Sequence, residues 1–386
     1  MNLMKCLIDK YSHILEPNSV DTKYHNNNEQ VDVCNTSLAK SVRDFIKKHN
    51  IQNIILSLSG GVDSMVMLEI VQSIIVNLNY DSIHSNKESA DNTHELKLYC
   101  CHINYNNRDE SSDEASFLRE YCLLRNIHYE QVNVLFKRGS IKRSDYERQT
   151  RQLRYDYYKE MIQSNNCDGV FLAHHKDDLC ENIFNNIMRG TRELTDLTVL
   201  NDVSSVLGVT TYRPMLGHYK EDIYDIARSH MIPYFLDTTP DWSCRGKMRR
   251  RIFPACSDCY GNNYRQSLIK LGDESDALHS IIHLHIIDNF DKKITYSNQG
   301  GLTDIVIPIE PILLELYLLK LVIKGVCHKI GVPMMKHKNI EKMCEVLNRS
   351  SCTEIPNKQG HCQPKYSFMN GYTTTITSNV ITLSNV

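Results

Sequence analysis

The stretch LSLSGGVDSMVML, residues 56–68, decides the fold of this chain. The end of an apolar strand leads into the hexapeptide Ser59-Gly60-Gly61-Val62-Asp63-Ser64, and helical spacing follows at once. Glycines at such a turn let backbone N–H groups approach an anion, and the helix N-terminus adds its positive end. The hydroxyls of Ser59 and Ser64 can donate to phosphate oxygens, whereas Asp63 suits phosphate only if it holds a shared magnesium ion. The spacing matches neither a Walker A loop nor a dinucleotide fingerprint.

Outward from this loop, buried strands alternate with amphipathic helices. The predicted strands are 53–59, 96–103, 128–134 and 169–175, and the predicted helices are 64–78, 112–125, 144–163 and 177–189. Continuous apolar strands separated by helices indicate a parallel sheet that is covered on both faces. The predicted fold class is therefore α/β, followed by a smaller C-terminal domain of helices and strands.

The pattern along the chain predicts three regions. Residues 1–36 are expected to form an irregular polar extension, 37–260 the α/β domain, and 261–386 a helical plus β domain. Within the α/β domain, residues 81–95 look like a polar surface insert. After residue 210 the alternation of strands and helices resumes, with a predicted helix through Ile223 and a predicted strand at 233–237.

Composition narrows the class of protein. The chain has 386 residues and a net charge of −2, so any surface for nucleic acid has to be a local cluster. Its 14 cysteines are scattered, and several lie in apolar runs, as is typical of reduced, buried thiols. No signal peptide or membrane-spanning run is apparent, which predicts a soluble, cytoplasmic protein without a membrane partner. The composition gives no oligomeric state.

Polar side chains cluster after the predicted strands, where ligands bind in open α/β sheets. His102 and Arg108 follow the second strand. The segment YERQTRQLRYDYY places Glu147, Arg151 and Arg154 on one helix, and LAHHKDDLCEN follows the fourth strand with His174, His175, Asp177, Asp178 and Glu181. Taken singly, such residues are helix caps or parts of solvated faces as often as they are functional residues. Taken together at one sheet edge, they favour a site.

The loop Ser59–Ser64 resembles the PP-loop of the N-type ATP pyrophosphatases, which cleave ATP between the α and β phosphates. That resemblance implies adenylation chemistry, with ATP and Mg²⁺ as cofactors. It does not imply a substrate, because the superfamily includes tRNA-modifying enzymes, amidotransferases and NAD synthetases.

The wider set of motifs resembles the tRNA(Ile)-lysidine synthetase family. The matching segments are the loop, His102 to Arg108, the Glu147–Arg151–Arg154 helix, His174 to Glu181, Arg213-Pro214-Met215-Leu216, Asp237 to Pro240, Arg245 to Arg249, and Pro254. The sequence departs from the family at Pro240 and Gly246, where Asn is usual, and at Asn182, where Thr is usual. These departures bear on the local geometry of the site and on its choice of substrate.

The resemblance implies adenylation of the wobble cytidine of an isoleucine tRNA with a CAU anticodon, followed by attack of free lysine. It assigns ATP binding to Ser59, Gly60, Gly61, Val62, Asp63, Ser64, His174 and His175. It makes Asp63 and Asp178 catalytic and magnesium-binding, and gives Arg151 and Arg154 the task of stabilising phosphate or adenylate charge.

The densest basic cluster comprises Arg245, Lys247, Arg249, Arg250 and Arg251. A solvated helix face is the ordinary interpretation, but the position of the cluster in a nearly neutral chain favours contact with tRNA. The pair Cys256 and Cys259 keeps a second interpretation open, a tRNA 2-thiolation enzyme with a metal or cluster, although two unligated thiols are the simpler interpretation. A tRNA-binding protein without catalysis is the third.

Overall fold

The computed structural model describes residues 3–19, 33–84, 96–136, 139, 141–190, 192–237, 239, 243–299, 302–352, 365–369, 371–377 and 379–385. The chain divides into two compact units, Met1–Asp273 and Glu274–Val386. The predicted domain limits, 37–260 and 261–386, remain a prediction. The predicted insert at 81–95 lies largely outside the described residues, as does Pro240.

The first unit is built on a six-stranded sheet. Its strands are β1 (Asn53–Ser57), β2 (Lys97–Asn104), β3 (His128–Asn133), β4 (Gly169–Phe171), β5 (Val203–Val206) and β6 (Val209–Tyr212), and the strand order is β3-β2-β1-β4-β6-β5. All neighbours pair in parallel except β5 and β6, which form an antiparallel hairpin at the sheet edge. The α/β class with a mainly parallel sheet is thus confirmed.

The helices of this unit are α1 (Leu3–Lys10), α2 (Ser37–Lys48), α3 (Val62–His84), α4 (Ser111–Leu124), α5 (Arg143–Asn165), α6 (Lys176–Arg189), α7 (Lys220–Ser229), α8 (Cys244–Lys247) and α9 (Phe253–Tyr260). A π-helical turn, Met248–Ile252, joins α8 to α9, and α10 (Asn263–Ile282) contains the division between the units. Within the described residues, no helix has both the length and the apolarity to cross a membrane.

Both faces of the sheet are covered, and the alternation of side chains along the strands explains how. In β1, Ile54 and Leu56 belong to the core formed with α2, α3 and α7, whereas Ile55 belongs to the core on the α5 side. Successive side chains of a strand point to opposite faces, so a strand buried on both sides must be apolar throughout. This is why NIIL is a continuous apolar run.

Two predictions for this unit need correction. Residues 233–237 form no sheet strand, since only an isolated bridge joins Phe235 to Leu15. The first residues are not irregular: α1 buries Leu7 and Ile8, which contribute to the main core. Their spacing, with Met4 three residues before and Tyr11 three after, was a helical signal within a polar-looking segment.

The second unit contains an antiparallel five-stranded sheet in the order β7-β8-β11-β10-β9. Its elements are α11 (Asp288–Asp291), β7 (Thr295–Gln299), β8 (Leu302–Pro308), α12 (Leu316–Lys329), α13 (His337–Cys352), β9 (Lys365–Met369), β10 (Tyr372–Ile376) and β11 (Val380–Asn385). Leu319 and Val322 of α12, with Ile381 and Leu383 of β11, are fully buried in its core. The predicted combination of helices and strands in a smaller C-terminal domain is confirmed, whereas the individual strands β7, β8 and β9 were not predicted.

Candidate active site

The site lies where the order of the parallel strands reverses. From β1 the chain proceeds to β2 and β3 on one side, and then returns to place β4 on the other side of β1. The loops that follow β1 and β4 therefore diverge and leave a crevice at the carboxyl edge of the sheet. Topology thus brings the loop Ser59–Ser64 next to His174 and the acids that follow it.

The loop is held by the hydroxyl of Ser64. Backbone N–H groups of Ser59 and Gly60 donate to Ser64 Oγ at 3.2 and 3.1 Å, and this hydroxyl lies 3.0 Å from the Gly61 carbonyl oxygen. Gly60 has a φ of +81°, which favours glycine. Ser64 is buried and Val62 packs into the core, so these two shape the loop, while Ser59 and Gly61 line the cavity described below.

Asp63 opens α3 and faces the crevice. Its Oδ2 accepts a hydrogen bond from Lys220 Nζ at 3.2 Å, while its buried Oδ1 has no hydrogen-bond partner. A free carboxylate oxygen beside a phosphate-type loop suits Mg²⁺, which is usually held by one or two carboxylates together with substrate phosphates. Asp63 therefore fits the predicted metal. Asp178 fits less well because both of its oxygens already accept hydrogen bonds, from Arg249 and from the backbone of His175.

His175 is buried among three carboxylates. Its Nε2 lies 3.3 Å from Asp178 and 3.7 Å from Asp63, and its Nδ1 lies 3.6 Å from Asp177. Burial raises the pKa of Asp178, but His175, His174 and Arg245 lower it, and the net pKa lies below the ordinary value. His175 thus joins the acid of the loop to the acids at the start of α6.

Arg249 reaches inward to the same acids. It donates through Nε to Glu181 Oε1 and through Nη2 to Asp178 Oδ1 at 3.2 Å. Arg245 adds a second cation, 3.5 Å from Glu181 Oε2. Glu181 is buried, and burial of a carboxylate is tolerated only when it is paired. Arg249, predicted to contact tRNA, is placed by the structure in the acid cluster.

His174 is held differently from its neighbour. Arg213 Nε donates to His174 Nδ1 at 3.2 Å, so this nitrogen is an acceptor and the ring is neutral. Burial, together with Arg213 and Arg245, lowers the pKa of His174 to about 4, against the opposing charge of Asp178. Arg213 is itself anchored on the Asn201 carbonyl and the Ser204 hydroxyl.

The lowered pKa of His174 predicts a loss of stability in mild acid. Between pH 6.5 and about 4 the unfolded chain protonates this histidine while the folded chain does not. The free energy of unfolding should therefore fall as pH decreases through this window, by up to about 1.4 kcal/mol per pH unit. Urea unfolding at pH 7 and pH 5 measures it. His174→Gln should show a weaker decrease, and equal decreases in the two proteins would contradict this assignment.

His102 and Arg108 lie on the other side of the loop. His102 Nδ1 donates to the carbonyl of Leu58, directly before the loop, at 2.8 Å, and burial lowers the pKa of its ring. Arg108 pairs with Glu114 at 2.8 Å. His102 thus supports the loop backbone, and Arg108 is available at the cavity wall.

Two cavities adjoin these residues. The loop cavity, about 470 Å³, is lined by Ser59, Gly61, Val62, Asp63, Arg108, Glu114, Glu16, Arg228, Tyr234, Phe235, Leu236 and Thr239. The acid cavity, about 310 Å³, is lined by His175, Asp177, Glu181, Glu221, Phe253, Pro254, Ser257, Tyr264 and Arg265. Lys220, Tyr224, Asp237 and Arg249 line both. Each volume is within the range of small-molecule sites.

Arg151 and Arg154 line neither cavity. Both guanidinium groups lie against the ring of Tyr155, at 5.2 and 5.4 Å from its centre. Glu147, which shares their helix, pairs with Arg143 at 2.8 Å. Arg154 is half-buried, and its buried Nε has no hydrogen-bond partner.

The rest of the basic cluster is exposed. Arg245, Lys247, Arg250 and Arg251 are exposed on α8 and the following π-helical turn, and Arg250 donates to the carbonyl of Thr239 at 2.8 Å. Gly246 is buried, and its N–H caps the helix on the hydroxyl of Ser243. Among the described residues, no group of three or more His, Cys, Asp or Glu side chains is arranged to hold a metal, and Cys256 and Cys259 are free thiols.

Several residues of the site were not predicted from the sequence. One of them is Lys220, which contacts Asp63 and lines both cavities. Another is Arg265, which lies 3.3 Å from Asp177. A lysine at the start of the helix that follows Arg213-Pro214-Met215-Leu216 was the available signal. No local signal marks Arg265, because only folding brings it to Asp177.

The profile of the PP-loop domain matches residues 34–256, more than half of the chain. The chain is 25% identical over 304 residues to the tRNA(Ile)-lysidine synthase of Chlamydia pneumoniae. This match covers 78% of this chain and 86% of that protein. It is 28% identical over 258 residues to that of Chlamydia muridarum, covering 65% and 69%. It is also 28% identical over 255 residues to the tRNA(Ile)-lysidine synthase of Staphylococcus aureus strain COL, and this match covers 65% of this chain and 55% of that protein.

A similar solved structure is the U34-tRNA thiolase NcsA from Methanococcus maripaludis with its 4Fe–4S cluster. It has a TM-score of 0.45 and 14% identity, and the match covers 63% of this chain and 78% of that one. The family assignment depends on the profile match. The matched residues include the loop, the acid cluster and Lys220. The chain belongs to the PP-loop domain family.

Proposed function

We propose that this protein is a tRNA(Ile)-lysidine synthetase, which uses ATP to adenylate the wobble cytidine of an isoleucine tRNA and then joins free lysine to it. One observation carries the proposal: a phosphate-type loop cavity and an acid cavity share a wall that contains Lys220 and Arg249. A reaction that activates with ATP and then admits a small amine needs two adjoining compartments of this kind.

In the loop cavity, the chain's own residues bind and neutralise a triphosphate. The loop leads into the N-terminus of α3, whose positive end favours an anion, and Arg108, Lys220 and Arg249 supply positive charge at the cavity wall. Asp63, with its free Oδ1, would hold Mg²⁺, which when bound screens the phosphates and stabilises the leaving pyrophosphate. The surrounding cations stabilise the negative charge that develops as the α-phosphate is attacked by the cytidine oxygen.

The acid cavity has the charges that free lysine requires. Arg265 can pair with a carboxylate, and Asp177, Glu181 and Glu221 can accept hydrogen bonds from ammonium groups. Arg265 at present bridges Asp177 and Glu221, at 3.3 and 2.9 Å. A zwitterionic ligand with an additional cation would exchange these internal pairs for pairs of its own, which keeps every buried charge compensated.

The test is incubation of the purified protein with ATP, Mg²⁺, lysine and an isoleucine tRNA with a CAU anticodon, followed by nucleoside mass spectrometry. The wobble cytidine should gain the mass of one lysine less one water, because the lysine amine replaces the adenylated oxygen, which leaves with AMP. Omission of lysine, and a tRNA with a different wobble base, are the controls. AMP release that depends on a sulfur donor would move the assignment to thiolation, and tRNA binding without AMP under any condition would support a non-catalytic tRNA-binding protein.

The exposed cations predict how tRNA binding depends on salt. Arg250→Ala combined with Arg251→Ala should weaken tRNA binding and flatten the slope of log K against log[salt] by roughly one for each phosphate that the variant no longer neutralises. Filter binding at several salt concentrations measures the slope. Lys47→Ala with Lys48→Ala, which removes two exposed cations from α2, is the matched control and should leave it unchanged. Equal slopes for both double variants would remove this surface from the proposal.

A further inference from the structure

The N-terminal segment, which we define as residues 3–19, precedes the span that matches the PP-loop profile, yet it is joined to the nucleotide site. Leu15 forms an antiparallel bridge with Phe235. The N–H of Glu16 donates to the Tyr234 carbonyl at 2.9 Å, and the N–H of Leu236 donates to the Ile14 carbonyl at 3.2 Å. The segment therefore fixes the backbone on both sides of Phe235.

Phe235 in turn fixes the phosphate loop. Its N–H donates to the Gly60 carbonyl at 2.9 Å, and its ring fills the space beside Gly60, so that a β-carbon at this position would overlap Phe235 Cε2. The ring also packs edge-on against Phe117, with centres 5.6 Å apart, and Phe117 packs against Tyr11 at 5.7 Å. An aromatic row thus runs from the segment to the loop.

The segment is anchored mainly by apolar burial. Leu7, Ile8, Ile14 and Leu15 belong to the main core. Pairs to α4, Lys10 with Glu120 at 2.7 Å and His13 with Asp113 at 2.9 Å, are exposed and add little. Because the anchoring is apolar, the contact with Phe235 should persist over a wide range of salt concentration.

Glu16 lines the loop cavity together with Arg228 and Tyr234. A carboxylate repels a triphosphate, so it is compatible with a bound nucleotide only where the ligand offers neutral N–H or O–H donors. The nucleoside portion of ATP has such donors in the amino group of its base and the hydroxyls of its ribose.

We propose that the N-terminal segment is part of the ATP site: Leu15 and Phe235 are positioning residues for Gly60, and Glu16 recognises the nucleoside portion of the nucleotide. The inference rests on the proposed function only in taking ATP as the ligand, and it does not require lysidine formation.

Binding of ATP and of pyrophosphate, measured by calorimetry in the presence of Mg²⁺, separates the two roles. Leu15→Ala and Phe235→Leu should weaken both ligands by about three- to tenfold, because both depend on the placed loop. Glu16→Gln should weaken ATP and leave pyrophosphate unchanged. Leu3→Ala, at a residue 65% exposed in the same segment, is the control and should change neither affinity.

The thermal unfolding temperature of each variant should lie far above the temperature of the binding measurement, which establishes that folded proteins are compared. In turnover assays the KM for lysine should stay constant. Unchanged affinities in both Leu15→Ala and Phe235→Leu would overturn the positioning role. Equal weakening of ATP and pyrophosphate by Glu16→Gln would overturn the role of Glu16, and failure of the unaltered protein to bind ATP would overturn both. Absence of lysidine with ATP binding intact would count only against the proposed function.

Discussion

Asp63→Asn is expected to abolish ATP–pyrophosphate exchange, with a loss of at least about 10²–10³-fold, the range typical when a preorganised electrostatic group is removed. Asp63 pairs with Lys220, and its second oxygen is buried without a hydrogen-bond partner. Asparagine keeps the shape but removes the charge that holds Lys220 and would hold Mg²⁺. The assay measures labelled pyrophosphate incorporated into ATP in the presence of tRNA.

The matched control is Asp225→Asn, an exposed carboxylate on the same helix as Lys220, which should retain full exchange. A double-mutant cycle with Lys220→Met separates the two functions of Asp63. If Asp63 acted only by placing Lys220, the double variant would be no worse than either single variant. An additional loss from Asp63→Asn is expected, because its free oxygen gives it a second task. Near-normal exchange in Asp63→Asn would eliminate the loop acid from the mechanism.

Arg249→Met is expected to lower the free energy of unfolding of the first unit by about 3–5 kcal/mol, as found when one partner of a buried ion pair is removed. Arg249 binds both Glu181 and Asp178, and the Glu181 side chain is only 3% exposed. Burial lowers the pKa of Arg249, but the hydrogen bond and the charge of Glu181 together with Asp178 outweigh it, so the net pKa is raised and the arginine stays charged. Arg245, at 3.5 Å from Glu181, is too exposed to compensate fully.

Urea unfolding, followed by the fluorescence or circular dichroism of the intact chain, measures the change. Arg251→Met, two residues along the same π-helical turn but exposed, is the control and should change stability little. Adding Glu181→Gln to Arg249→Met should restore part of the loss, because it removes the uncompensated charge. A similar small effect for Arg249→Met and Arg251→Met would show that the acid cluster does not depend on this arginine.

More of the secondary structure could be predicted from the sequence in the first unit than in the second. In the first unit, strong hydrophobic periodicity located β1, β2, β3 and α3 to α7 to within a few residues in most cases. In the second, the residues of β7 and β8 alternate weakly between polar and apolar, and a short antiparallel strand is stabilised by pairing rather than by its own sequence. Those strands were therefore missed.

Within the site, local sequence determined the phosphate-type loop and the acids that begin α6, since the constraints on both are local: a left-handed glycine and a helix N-terminus. The local sequence did not determine which distant side chains pair with one another. Arg249 and Arg251 look equivalent in the sequence, yet one is paired with buried acids and the other is exposed.

Only the tertiary structure decided that Lys220 meets Asp63, that Arg265 meets Asp177, and that Leu15 holds Phe235 beside Gly60. These contacts join residues 157, 88 and 220 positions apart, by subtraction of their numbers. Backbone geometry and hydrophobic spacing act over a few residues and are written into the sequence. Charge compensation and close packing depend on which distant segments become neighbours, which is fixed by the order of the strands in the sheet.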